Sequence, residues 1–306
     1  MKLFGFNKNT IAILMAFSAA GIWGFLSIPL RGLSAYSSEQ ILFYRILVSL
    51  IFLFLFQVFF NRKRVLEDWN QFRALNKKES RRWIWISLLS SGLITLNWYS
   101  FIFVINHINI QSAAFAYMVC PLLTAFIAFL VLKERITQVQ KAALILALLA
   151  IFVLAYRYQL DVLFSILVAI WYAIYLVIQK LSPPIEKGLF LTIQLLFSAL
   201  LIIPYFLFKN PGFPMEWKFW IDIVLISILF TIVPLYLSLF ALETISSTTM
   251  GIIIYFNPIV AFSVALIYFH ESLNFFKLSS YFLVFIAVII YNWQYFQNQA
   301  KKPILP

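Results

Sequence analysis

Apolar residues run through this chain in long unbroken blocks, not in the alternation of half-buried strands. Ten blocks stand out: 10–33, 39–60, 83–105, 109–132, 138–155, 160–179, 188–208, 219–241, 247–268 and 276–296. A helix of about 20 apolar residues crosses the hydrocarbon of a bilayer. The strands of a transmembrane barrel would instead alternate apolar and polar residues over about ten positions. The blocks therefore predict an all-α polytopic membrane protein with ten transmembrane helices. The first block follows Lys2 and Lys8 and contains "SAA", the outline of a signal peptide. It continues past those small residues and has a counterpart later in the chain, so it reads as the first span.

Composition strengthens this picture. Of 306 residues, 63% are hydrophobic and only 11% charged, with a mean hydropathy of +0.94. A single soluble core stops growing near this length, so the solvent for most of the chain is lipid. The net charge of +12 does not imply nucleic acid once the basic residues are sorted among loops. With the N-terminus inside, seventeen Lys and Arg fall on inner segments and five on outer loops, leaving Arg45 within a span. The positive-inside rule then predicts a multi-pass protein of the cytoplasmic membrane with both termini cytoplasmic. The 61–82 segment carries eight of the inner charges and reads as a topology anchor beside anionic lipid.

The chain also writes one pattern twice. "CPLLTAFIAFLVLKER" (120–135) and "NPIVAFSVALIYFHES" (257–272) each open on a proline and reach a glutamate thirteen residues later. Pro121 and Pro258 are 137 residues apart, as are Glu134 and Glu271, Tyr99 and Tyr236, and Phe103 and Phe240. Near the start of each half the offset is 148: "IWGFLSIPLRGL" (22–33) faces "IWYAIYLVIQKL" (170–181). Two units of five spans follow, 1–156 and 157–306. Five is odd, so the second unit enters the membrane from the opposite side, and the units are inverted repeats. Such repeats exchange conformations around a site near the midplane. A mid-helix proline frees the carbonyl four residues earlier and kinks the helix, and in lipid that carbonyl must face protein or a wet cavity. Pro121 and Pro258 are therefore candidate hinges, with a packing kink kept by duplication as the plain alternative.

The stretches "WGFLSIPLRGL", "LNWYSFIFVINHINIQSAAFAY", "CPLLTAFIAFLVLKER", "PLYLSLFALETISSTTMG" and "YFNPIVA" resemble the RarD-like branch of the EamA group in the drug/metabolite transporter superfamily. The similarity runs from about 10 to 296, and the segment ending Lys133-Glu134-Arg135 is its most specific part. Cys120 stands where the family usually has Asn, while Asn257 is retained in the second copy, and Gln179 replaces a frequent basic residue. The resemblance implies ten helices in two five-helix repeats, a central cavity, and export of small metabolites or drugs.

Polar groups deep in spans are expensive in lipid and usually face the bundle interior. They are candidate substrate contacts: Arg45, Asn97, Gln194 and Asn257, with the aromatic Tyr117, Trp171, Tyr172, Tyr175, Tyr236 and Tyr255. Aromatic rings offer a flat apolar face with a polar tip. For Asn97 a helix–helix hydrogen bond is the plain alternative. Arg45 lies about 9 Å below the outer end of its helix, six residues after Glu39 at 1.5 Å each. It either snorkels to the surface, pairs helices, or holds a substrate carboxylate through a bidentate fork.

What is missing bounds the chemistry. No carboxylate sits at mid-membrane, so proton relay is not predicted, and facilitated or exchange transport is as consistent with the sequence. No pair of intramembrane aspartates, no deep general base and no Gly-rich phosphate loop is present, which disfavours an intramembrane enzyme and ATP-driven transport. His107 and His270 lie near span ends, and neither shares metal-ligand spacing with Cys120, the lone cysteine. No cofactor and no metal is predicted. The expected partners are a small-molecule substrate and the bilayer, and a monomer is compatible with everything above.

Overall fold

The computed structural model describes residues 7–133, 137–179, 181, 185–245 and 247–300. The described residues are helical nearly throughout. Nine helices among them are apolar and long enough to cross a membrane, with a shorter one over Phe256–Tyr268. The first span is broken: α1 (Lys8–Gly24) and α2 (Ser27–Gly32) meet at Phe25–Leu26. The second is α3 (Ser38–Phe60), entered through Ser37, whose hydroxyl accepts from the Gln40 N–H. This is an N-cap satisfying one of the helix's free donors.

The 61–82 segment is not an irregular loop. It forms α4 (Arg62–Ala74), and the third span, α5 (Lys77–His107), begins six residues before the apolar block. Basic residues alternate there with Val65, Leu66, Trp69 and Phe72, an amphipathic pattern suited to lying along a membrane surface. The fourth, fifth and sixth spans are α6 (Ile110–Leu132), α7 (Gln138–Ala155) and α8 (Gln159–Gln179). The seventh is α9 (Lys187–Lys209). The eighth is α10 (Trp217–Ser227) and α11 (Val233–Leu242) joined by a π-helical turn at Ile228–Ile232. The ninth is α12 (Ser247–Ile254), α13 (Phe256–Ser263) and a second π turn at Val264–Tyr268, and the tenth is α14 (Phe275–Ala300).

Spans one, three, five, seven and nine end on one face of the bundle, here called the far face; the first described residues lie at the near face. Because lipid tails are as apolar as leucine, helices in a bilayer associate through close packing of small residues and occasional hydrogen bonds. The helices here do so. On α1 the buried face is Ala12, Ala16, Ala19, Ala20 and Gly24, and it packs on α11 and α13. The α7–α14 pair meets through Ala143, Ala147 and Ala150 against Val284 and Ala287, where the Ser280 hydroxyl donates to the Ala150 carbonyl at 2.6 Å. Between α5 and α9, Thr95 donates to the Ser198 hydroxyl at 2.8 Å, which in turn donates to the Ser91 carbonyl at 3.2 Å.

The strongest packings obey a rule: the set is unchanged when spans one to five are exchanged for six to ten. The first span packs on the eighth and ninth, and the sixth on the third and fourth. The second packs on the eighth, and the seventh on the third. The second and seventh, fourth and ninth, and fifth and tenth pack on each other.

The two prolines behave differently. Pro121 lies inside α6, which is helical on both sides of it. Pro258 is the third residue of α13, and the ninth span breaks at Tyr255, beside the Ile254 carbonyl that its ring would meet. Gly24 marks a further difference between the halves. A Cβ there would stand 2.5 Å from Val260 Cβ and 3.0 Å from the Asn257 carbonyl oxygen, so α1 presses directly on α13. At the offset of 148 the counterpart of Gly24 is Tyr172, so α8 packs on α6 without a glycine at the matching place.

Candidate functional site

A cavity of about 150 Å³ lies at the centre of the bundle. The first four spans line it with Trp23 and Leu26, Arg45, then Ile94, Trp98 and Phe101, and Tyr117. Spans six to nine add Tyr172 and Tyr175, Leu191, Thr231 and Leu235, and finally Ile254 and Asn257. Seven lining residues thus come from before residue 157 and seven from after it. The fifth and tenth spans stay outside and pack on each other.

Arg45 is held in a specific place. It is only 3% exposed, so it does not snorkel. Its guanidinium lies over the Trp98 ring, 4.1 Å from the centroid, a cation–π contact strengthened by the lack of water. Nε and Nη2 both donate to Thr231 Oγ1, at 3.3 and 3.0 Å. The Thr231 hydroxyl donates its own proton to the Ile226 carbonyl at 2.9 Å. That carbonyl lies just before the π turn, where the helical hydrogen-bond ladder is offset. Nη1 is buried and has no partner. Among the described residues no carboxylate is within ion-pair distance of Arg45.

The tyrosines form an adjoining aromatic wall. Tyr117 meets Tyr172 edge to face with centroids 5.6 Å apart, and Tyr172 stacks on Tyr175 at 5.8 Å. Two buried amides behind them fix their tips. Tyr117 donates to Asn97 Oδ1 at 3.4 Å, and Asn97 Nδ2 donates to the Val168 carbonyl at 3.0 Å. Tyr175 donates to Gln194 Oε1 at 3.2 Å. Asn97 and Gln194 are both fully buried.

The sequence pattern of the EamA-like transporter family matches this chain twice, over residues 10–156 and 159–293. The chain belongs to the EamA-like transporter family. Its relatives place it in the RarD-like branch. It is 26% identical to the protein RarD of Streptomyces exfoliatus, over 97% of this chain and 92% of that protein. It is 22% identical to the protein RarD of Escherichia coli K12, over 95% and 97%. An uncharacterized transporter of Bacillus subtilis, YojE, is 23% identical over 89% and 90%. One protein of known crystal structure superposes with a TM-score of 0.61, covering 92% of this chain and 96% of that one. At 12% identity that likeness speaks to the fold alone.

Of the residues singled out in the sequence, the EamA transporter brings Arg45, Tyr117, Tyr172, Tyr175 and Asn257 onto the cavity wall. Asn97 and Gln194 stand one layer behind. Trp171 lies off the lining, whereas its counterpart at the 148 offset, Trp23, is on it. Tyr236 points toward the near face, packing on Phe56 at 5.1 Å, with its hydroxyl 2.5 Å from where a Gly188 Cβ would stand. Tyr255 sits at the break in the ninth span and packs among residues of the fourth, fifth and tenth spans. Sequence reading passed over Trp98 and Thr231. Thr231 carried a usable signal, a hydroxyl in mid-span three residues before Pro234.

The transporter is sealed between this cavity and the far face. The space beneath the far surface, lined by Ser27, Ile105, Ala114 and Ala261, is only about 10 Å³, roughly the room of one water molecule. Above it Glu271 bridges three spans. Its carboxylate accepts from the backbone N–H groups of Ile110 at 2.8 Å and Gln111 at 3.1 Å, and from Arg31 Nη2 at 3.2 Å. His270, with φ 52°, turns the chain in the left-handed region and delivers Glu271 to the start of α6. The glutamate predicted to match it, Glu134, lies outside the described residues. At the near face a separate group forms around Glu186. It accepts from Gln57 Nε2 at 3.2 Å and caps α9 through the N–H groups of Gly188 and Leu189.

Proposed function

We propose that this transporter exports small metabolites, amino acids or related compounds, or drugs, by alternating access. Two five-helix units of opposite orientation, 1–156 and 157–306, rock around the central cavity. The observation that carries this reading is the cavity's double origin, with seven lining residues from each half. The packing pattern that survives exchange of the halves supports it, because two similar units in opposite orientation can trade conformations while the site stays put. The near face is the cytoplasmic one on the positive-inside count of seventeen basic residues against five. The Glu271 bridge then closes the outer exit.

In this reading Arg45, Tyr117, Tyr172, Tyr175 and Asn257 touch the substrate, and Asn97 and Gln194 hold the tyrosines. Tyr236 acts at the inner gate, and Pro121 and Pro258 let the fourth and ninth spans bend. The test is flux of a radiolabelled amino-acid and drug panel in proteoliposomes. At least one compound is expected to cross faster than in protein-free vesicles and to slow when Tyr172 is replaced by alanine. Absence of protein-dependent flux for the whole panel, with cavity ligands bound normally, would overturn the reading.

A further inference from the structure

We propose that the ligand of the central cavity is an organic monocarboxylate, held by the guanidinium of Arg45. The inference rests on the transport reading only in taking the cavity as the substrate's site.

The argument starts from what the arginine lacks. A charged side chain in the hydrocarbon is costly even on the mildest scale. Burial of a cation is ordinarily offset by an anion with good hydrogen-bond geometry. Arg45 has only neutral partners: the Trp98 face and the Thr231 hydroxyl oxygen. The threonine's proton is committed to the Ile226 carbonyl, so its oxygen is kept as an acceptor. These contacts fix one edge of the guanidinium and leave Nη1 without a partner among the described residues, in a residue only 3% exposed. An arginine that served only to pair helices would have its donors used.

The missing group is an anion. Among the described residues no carboxylate lines the cavity and Arg45 is its one charged group, and a monoanion balances that charge where a dianion would not. A carboxylate oxygen on the Arg45 guanidinium makes a charge-assisted hydrogen bond, about twice as strong as a neutral one. The remainder of the ligand then lies against Trp23, Phe101, Tyr117 and Tyr172, a wall that suits an apolar or aromatic body. An amine without a carboxylate finds, among the described residues, no acid on the cavity wall to pair with and meets the guanidinium as a like charge.

Three aromatic probes of similar size separate these possibilities: benzoate, its isostere benzamide, and benzylamine. Binding of radiolabelled benzoate to the transporter in nanodiscs, with the others as competitors, needs no transport. Benzoate is expected to bind about tenfold or more tightly than either competitor, the scale of one charge-assisted hydrogen bond. Arg45→Lys should weaken benzoate binding, and Arg45→Gln should abolish its advantage over benzamide. Thr231→Val, which releases the guanidinium, should weaken benzoate as well. A wild-type preference for benzamide or benzylamine overturns the assignment without recourse to any variant. So does an undiminished benzoate preference in Arg45→Gln, or displacement of benzoate by equimolar chloride. Benzoate binding of this kind, with no compound of the panel carried in proteoliposomes, would sink the transport reading and leave this assignment standing. Flux of a neutral or cationic compound that ignores Arg45 would do the reverse.

Discussion

Replacing Glu271 by glutamine should unlatch the outer exit. Its carboxylate ties the end of the ninth span to the first turn of α6 and to Arg31 beside the tip of the first span. A carboxylate at a helix N-terminus is worth about 0.3–1 kcal/mol when exposed and up to about 2 kcal/mol when partly buried. The Arg31 ion pair, with side chains 30% and 15% exposed, adds no more than about 1 kcal/mol after solvent screening. Glutamine is nearly isosteric and keeps one acceptor, so a loss of about 2 kcal/mol is reasonable, or roughly 30-fold in the ratio of closed to open states. The readout is accessibility. With the lone cysteine replaced (Cys120→Ser), Ala114→Cys places a thiol beneath the latch, at a position 2% exposed. Its labelling by an impermeant maleimide added outside should quicken by roughly 10- to 30-fold with Glu271→Gln, if exposure follows the open population. Thermal stability should fall only slightly. Unchanged or slower labelling in a variant of normal stability would mean that the Glu271 bridge caps α6 and does not gate the exit.

Other outcomes follow from the same geometry. Gly24→Leu should force α1 away from α13, because even a Cβ there stands 2.5 Å from Val260; a cost of about 1–3 kcal/mol should appear as a lowered melting temperature with normal insertion. Pro258→Ala should let the ninth span run helical across Tyr255, raising or preserving thermal stability while slowing flux, whereas Pro121→Ala, in a helix already continuous, should alter flux less; equal effects on flux would contradict the asymmetry seen here. In the Cys120→Ser background, His107→Cys should react with an impermeant reagent from outside and Asn76→Cys should not, both sites being exposed; the reverse pattern would invert the orientation.

Much of this protein was legible before any coordinates. The ten crossing segments were readable because lipid admits few spanning structures, and a helix satisfying its own backbone needs about 20 apolar residues. The two-fold repetition was readable because Pro121 and Pro258 share their flanks at one fixed offset. Arg45 was conspicuous because a charge inside a span is rare. Tertiary structure decided the rest. Whether Arg45 snorkels or turns inward depends on which neighbours meet α3, and only the packed bundle puts Trp98 and Thr231 beside it. The chain offered two matched tryptophans, Trp23 and Trp171, and packing put only the first on the cavity wall. Two matched prolines ended in different surroundings: the ninth span breaks just before Pro258, where α1 presses on α13 through Gly24, and α6 runs helical on both sides of Pro121. Apolar length is a property of a segment and its solvent, so it can be read along the chain. The side a residue faces, and what it meets there, is a property of pairs of helices far apart in sequence, and it exists only once they have packed.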